Sequence, residues 1–194
     1  MFSGKMYRRL YPLTFLLALM LALNSCLNMP PMQSPQPVRN YTYQVIQVYP
    51  HDTTAFTQGL VAENGILYES TGLNGQSSIR RVDLETGRVL QILYLPEEYF
   101  GEGLTLYRDT LIQLTWKSHT GFVYRRDSFE IIRRFFYSTE GWGLTSDGSR
   151  LILSDGTSTL YFLSPQTFEV AGTIEVHDNN GPVKNLNELE YIEG

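Results

Sequence analysis

The chain has 194 residues, 15 basic against 20 acidic for a formal net charge of −5, and is 42% apolar and 18% charged. That length allows one domain with a small extension, and the apolar share supports a packed core rather than wholesale disorder. A single cysteine excludes a disulfide framework, three histidines with one cysteine argue against a structural zinc site, and no Walker-type or dinucleotide-type phosphate loop occurs.

Residues 1–26 read as an export signal. Lys5, Arg8 and Arg9 open it, and a 14-residue, mostly apolar run follows from Leu10 to Leu23. A membrane-spanning helix needs roughly 20 apolar residues, so the run has the length of a secretory core. It ends Leu23-Asn24-Ser25-Cys26, which resembles the lipobox of bacterial lipoproteins, with Cys26 as the lipidated residue. The alternative is an ordinary signal peptide with an incidental cysteine. Residues 27–40 hold four prolines and read as an extended tether. Removing the signal takes away three basic residues and no acidic one, leaving 12 against 20. That balance argues against nucleic acid or an anionic lipid surface as partner. The expected location is the bacterial cell envelope, lipid-anchored on the periplasmic side or at the outer membrane.

Residues 41–194 repeat. Val45–Tyr49 alternates imperfectly and is expected to form a strand that completes the last blade of a ring. Then Phe56-Thr-Gln58-Gly59-Leu60 is followed by Ile66–Ser70. Phe100-Gly-Glu102-Gly103-Leu104 is followed by Leu111–Trp116, and Glu140-Gly-Trp142-Gly143-Leu144 by Leu151–Gly156. A fourth unit opens at Leu186-Asn187-Glu188-Leu189. With Gly59, Gly103, Gly143 and Glu188 taken as equivalent, the spacings are 44, 40 and 45. Asn64-Gly65, Asp147-Gly148 and Asp83–Gly87 mark hairpin turns between short alternating runs. Four short antiparallel strands per about 40–45 residues is the period of a β-propeller blade. The expected fold is therefore all-β, an incomplete propeller of about three blades and the start of a fourth. The Gly and aromatic content (16 Gly, 13 Tyr, 10 Phe) agrees with it.

In a propeller the first strand of each blade lines the central axis, so equivalent positions converge at one end of the channel. The residue before the Gly-Leu step is Gln58, Glu102, Trp142 and Asn187 in turn. The frame repeats while this position varies, always polar or aromatic. A lone carboxylate among amides and rings has its charged form disfavoured and its pKa moved towards neutrality, where it both gives and takes protons. A solvated channel carboxylate is the bland alternative for Glu102. Trp116 and Trp142, the only two tryptophans, suggest an apolar slot, with core packing as the alternative. His51, His119 and His177 are expected at the surface, and Arg80-Arg81 and Arg133-Arg134 at solvated strand ends.

Eight segments, among them Phe56-Thr-Gln-Gly-Leu60, Tyr68-Glu-Ser-Thr-Gly72, Tyr99–Thr105, Glu140–Thr145, Ser154-Asp-Gly-Thr157 and Leu186–Tyr191, stand in one order from about Tyr41 to Gly194. Together they resemble the plant- and bacterial-type glutaminyl-peptide cyclotransferases. The resemblance implies a five-bladed propeller that converts N-terminal glutamine of peptides or proteins to pyroglutamate with release of ammonia, without a cofactor or metal. It makes Glu102 the catalytic proton-transfer carboxylate, and places Phe56, Gln58, Phe100, Trp116, Trp142 and Asn187 in the substrate pocket. The family pattern continues past Gly194 for roughly 80 residues at about 40–45 per blade, with a further pocket tryptophan and a lysine. The expectation is therefore that this length alone is poorly active or inactive. Two other readings stand beside it. A calcium-dependent lactonase-type propeller would need several carboxylate or amide ligands on its inner strands, and the channel set of one Glu, one Gln and one Asn is thin for that. A non-enzymatic envelope scaffold would bind proteins through the propeller face. His177-Asp-Asn-Asn-Gly181 is read as a polar connecting loop, with calcium binding as its alternative.

Overall fold

The computed structural model describes residues 41–192. The export signal at 1–26, Cys26 and the tether at 27–40 lie outside the described residues. Among these residues there is no helix, and three four-stranded antiparallel sheets follow one another along the chain. The first holds β1 (Thr57–Glu63), β2 (Ile66–Thr71), β3 (Ser78–Asp83) and β4 (Val89–Tyr94). The second holds β5 (Gly101–Tyr107), β6 (Thr110–Thr115), β7 (Thr120–Arg125) and β8 (Ile131–Phe136). The third holds β9 (Leu144–Ser146), β10 (Leu151–Ser154), β11 (Thr159–Leu163) and β12 (Val170–Glu175). Each is a simple meander in sequence order, as expected for propeller blades. The Asn64-Gly65 turn sits at φ of 52° and 77°, the left-handed pair that a two-residue hairpin requires.

The sheets stack face to face, and strand alternation builds the two cores between them. On β7, Phe122 and Tyr124 turn towards the first sheet, where they join Tyr68 and Ile79 together with Leu104 of β5. Val123 between them turns the other way, joining Leu144, Leu151 and Leu163 of the third sheet. The middle sheet is thus buried on both faces, which is why β6 and β7 read as nearly continuous apolar runs. Gln113, buried on β6, is satisfied across the first seam: its Nε2 donates to Ser70 Oγ at 2.7 Å, and its Oε1 accepts from the Tyr124 hydroxyl at 2.8 Å. The outer strands β4, β8 and β12 are mostly exposed.

The first strands β1, β5 and β9 meet at the axis. A Cβ on Gly59 would lie 2.6 Å from Leu104 N, and one on Gly103 would lie 2.5 Å from Leu144 N. The recurring glycines are therefore spacers, each letting the next inner strand come within backbone contact.

Three expectations are corrected. Val45–Tyr49 forms no strand and is exposed, because no described strand lies alongside to pair with its backbone. Arg80 lies within β3, not at its end, and is buried; Asp52 neutralises it at 2.8 Å. The His177–Gly181 segment is more ordered than a plain loop, for it forms a small hairpin of β13 (His177–Asp178) and β14 (Gly181–Pro182).

Candidate active site

The inner strands do not run regularly where the variable position falls. In the β1–β2 ladder the register slips between Thr57 and Gly59, and in the β5–β6 ladder between Gly101 and Leu104. Gln58 and Glu102 therefore sit in bulges. A bulge re-aims a side chain that a regular pleat would send elsewhere. In the third sheet the ladder begins only at Leu144, leaving Trp142 before it. There Gly103 N–H donates to the Trp142 carbonyl at 2.8 Å, tying the second and third units together at this level.

These departures gather the predicted residues. Phe56, Gln58, Phe100, Glu102, Trp116, Trp142 and Asn187 all line one cavity of about 330 Å³, joined by Leu73. Two larger grooves of about 480 and 510 Å³ run between the second and third sheets and contain none of these seven. The cavity wall is a run of edge-on rings: Phe56 meets Phe100 at 6.2 Å between centroids, and Phe100 meets Trp116 at 5.5 Å. Lys117 lies over the Trp116 ring at 3.9 Å.

Glu102 is the buried charge of this cavity, 5% exposed. Gln58 Nε2 donates to its Oε1 at 2.8 Å. Burial pushes its pKa up to about 7, against the Gln58 hydrogen bond, with the nearby negative charge of Glu140 adding to the rise. A carboxyl group poised near neutrality beside an apolar slot is suited to moving protons. Asn187 stands at the rim, and its own carbonyl accepts from Ser154 Oγ at 2.6 Å.

Reasoning from the sequence missed three residues here. Leu73 closes one side of the cavity from the left-handed region, at φ of 78°, and nothing in the repeat marks it. Glu140 accepts hydrogen bonds from both tryptophans. Its signal was visible: it stands where the first two units have Phe56 and Phe100. Glu188 reaches the axis, where Leu60 N–H donates to it at 3.2 Å. Burial raises its pKa to about 8, opposed by the backbone N–H groups of Leu60, Leu104 and Leu144.

The glutamine cyclotransferase family profile matches residues 17–194. This chain belongs to the glutamine cyclotransferase family. A glutaminyl-peptide cyclotransferase of Arabidopsis thaliana is 48% identical over 151 residues, covering 77% of this chain and 47% of the relative. The chain thus spans about half the length of that relative. The solved glutaminyl cyclase of Myxococcus xanthus superposes with a TM-score of 0.72 at 37% identity, covering 78% of this chain and 64% of that one. The WD40 domain of Neurospora crassa Pan2 superposes with a TM-score of 0.53 at 10% identity, covering 63% of this chain and 36% of that one. At that identity the likeness shows the propeller fold alone. In this chain the inner strands β1, β5 and β9 meet at the axis, and the seven residues line one cavity beside them.

Proposed function

We propose that this chain carries the proton-transfer half of a glutaminyl-peptide cyclotransferase site, acting on peptides or proteins with N-terminal glutamine. The observation that carries the reading is Glu102, buried, hydrogen-bonded to Gln58 and walled by aromatic rings. The substrate's α-nitrogen attacks the carboxamide carbon of its own side chain, forming the ring C–N bond. Glu102 takes the proton that the amine sheds and returns it to the departing nitrogen. The old C–N bond then breaks, ammonia leaves, and the carboxylate is restored. Gln58 keeps one amide hydrogen on Glu102, and the Asn187 amide, which lines the same cavity, is the donor assigned to the carboxamide oxygen as it gains charge. The rings desolvate the substrate side chain and hold it near the attack geometry. The scheme balances without a metal or a covalent intermediate.

The test measures ammonia release from a Gln-initiated dipeptide. It compares the full chain, its Glu102→Gln variant, and the chain completed with the C-terminal part of the Myxococcus xanthus relative. Activity that vanishes with Glu102→Gln, in either length, supports the reading. Folded proteins that all stay silent would favour a protein-binding scaffold. Activity confined to the completed chain would mean that further blades complete the pocket.

The Leu23-Asn24-Ser25-Cys26 motif supports a second part of the proposal: export and lipid attachment at Cys26, holding the propeller at the cell envelope. Metabolic labelling with a fatty acid, lost in Cys26→Ser, is the expected outcome; equal labelling of both would overturn it.

A further inference from the structure

Trp116 follows the second strand of its blade, and Trp142 precedes the first strand of the next. Nothing in their own ladders fixes how the two indoles face each other. One oxygen does: Glu140 Oε2 accepts from Trp116 Nε1 at 2.7 Å and from Trp142 Nε1 at 2.9 Å. Glu140 lies in the connection between β8 and β9, and its backbone is held close by, because Gly141 N–H donates to the Trp116 carbonyl at 2.9 Å. We propose that Glu140 is a positioning residue that locks the two pocket tryptophans into one wall of the cavity.

The chemistry suits the task. Indole is a donor only, so each Nε1–H at the edge of an apolar slot needs an acceptor. An ionised carboxylate serves two donors better than any neutral group, since charge-assisted bonds are the strong ones. The Trp142 indole above all holds Glu140 below the usual carboxylate range; burial opposes it, and the Trp116 indole and the nearby Lys117 ammonium add to the lowering. The carboxylate therefore stays ionised near neutrality, where Glu102 is poised between its two forms. The break in the repeat follows from this geometry. Phe56 and Phe100 supply rings directly at this position, whereas the third unit supplies the acceptor that holds two rings from elsewhere.

The proposal deepens the cyclotransferase reading and rests on it for the ligand, a Gln-initiated peptide, but its first readout does not. The chain has only two tryptophans, so all indole emission reports this wall. In the full chain, Glu140→Ala should shift the emission to the red and increase acrylamide quenching. Glu140→Met, which keeps the length but has no acceptor oxygen, should do the same and decides the matter should the alanine variant fail to fold. Glu140→Gln keeps an acceptor and should fall between them and wild type. Dipeptide affinity, followed by the same emission, should weaken about tenfold in the alanine or methionine variant and less in the glutamine variant. Wild-type emission and quenching in a folded alanine or methionine variant would overturn the proposal. Indole signals that respond to Glu140 in a chain that binds no peptide would sustain the proposal and count against the cyclotransferase reading instead.

Discussion

The entries to the second and third blades place a carboxylate in nearly the same frame, Phe100-Gly-Glu102-Gly-Leu against Glu140-Gly-Trp142-Gly-Leu. Two residues separate their positions in that frame, and their environments are opposite. Glu102 lies in a bulge at the buried end of the cavity, and its proton is held to about pH 7 by burial. Glu140 lies at the edge and is held ionised by two indole donors. Identical chemistry thus yields a proton carrier in one place and a fixed acceptor in the other, because position decides whether desolvation or hydrogen bonding dominates. The largest expected effect tests that division. Glu102→Gln should lower kcat for ammonia release by about 10²–10⁴-fold, the usual worth of a general acid–base group. Glu140→Gln should act mainly on KM. Equal losses of kcat in both variants would erase the distinction.

Gly103 keeps the two frames in register. A Cβ there would stand 2.5 Å from Leu144 N and 2.7 Å from Gly143 C, both backbone atoms with no room to yield. Gly103→Ala should therefore destabilise the fold by about 3 kcal/mol in urea unfolding, as forced overpacking does. Gly172, on outer strand β12, is the control, because its added Cβ would meet only Phe162 at 3.9 Å. Gly172→Ala should change stability by no more than about 0.5 kcal/mol. A mild Gly103→Ala would mean that the inner strands are not held by this contact.

Much of this frame was legible in the sequence. The Gly-Leu step and the Asn-Gly and Asp-Gly turns are local signals, and a propeller turns equal spacing into convergence at the axis. Gln58, Glu102, Trp142 and Asn187 could therefore be grouped before any geometry was known. What failed to show was non-local or irregular. The bulges that aim Gln58 and Glu102 depend on two strands at once. Leu73 enters the cavity from a left-handed turn with no sequence mark. Arg80 looks like a surface cation until Asp52, from outside the sheet, is folded against it. Val45–Tyr49 has strand composition but no partner among the described strands, and composition alone makes no ladder. Glu140 was readable as a broken repeat, yet its meaning depends on where two indoles point.

Stability should follow pH with a sign set by the buried carboxyl groups. A carboxyl whose pKa is raised on folding favours the native state fully below its ordinary value. That contribution is lost as pH rises through the native value. For Glu102 the loss runs from 4.5 to about 7, and for Glu188 from 4.5 to about 8. Tm should therefore fall between about pH 5 and pH 8, and Glu102→Gln and Glu188→Gln should each flatten the fall. Glu140, lowered on folding, has the opposite sign: its contribution is present above the ordinary carboxylate range and lost on acidification. A Tm that rises across the neutral window would contradict both raised assignments.

The finest comparison sets Gln58 against Glu140 as opposing influences on one proton. The Gln58 amide stabilises the ionised form of Glu102, and the Glu140 charge stabilises the protonated form. In the proposed reaction Glu102 must be ionised to accept the amine's proton, so kcat/KM should rise with pH through its pKa, near 7 in the wild type. Gln58→Ala removes the stabilising donor and should move that rise to higher pH. Glu140→Gln removes the repelling charge and should move it to lower pH. The shifts are small beside the loss in Glu102→Gln, but their signs are opposite, which a general loosening of the pocket would not produce. Profiles measured on whichever chain length shows activity decide the point. Shifts in the same direction would mean that both variants act through solvent entry, and that neither residue tunes Glu102 directly.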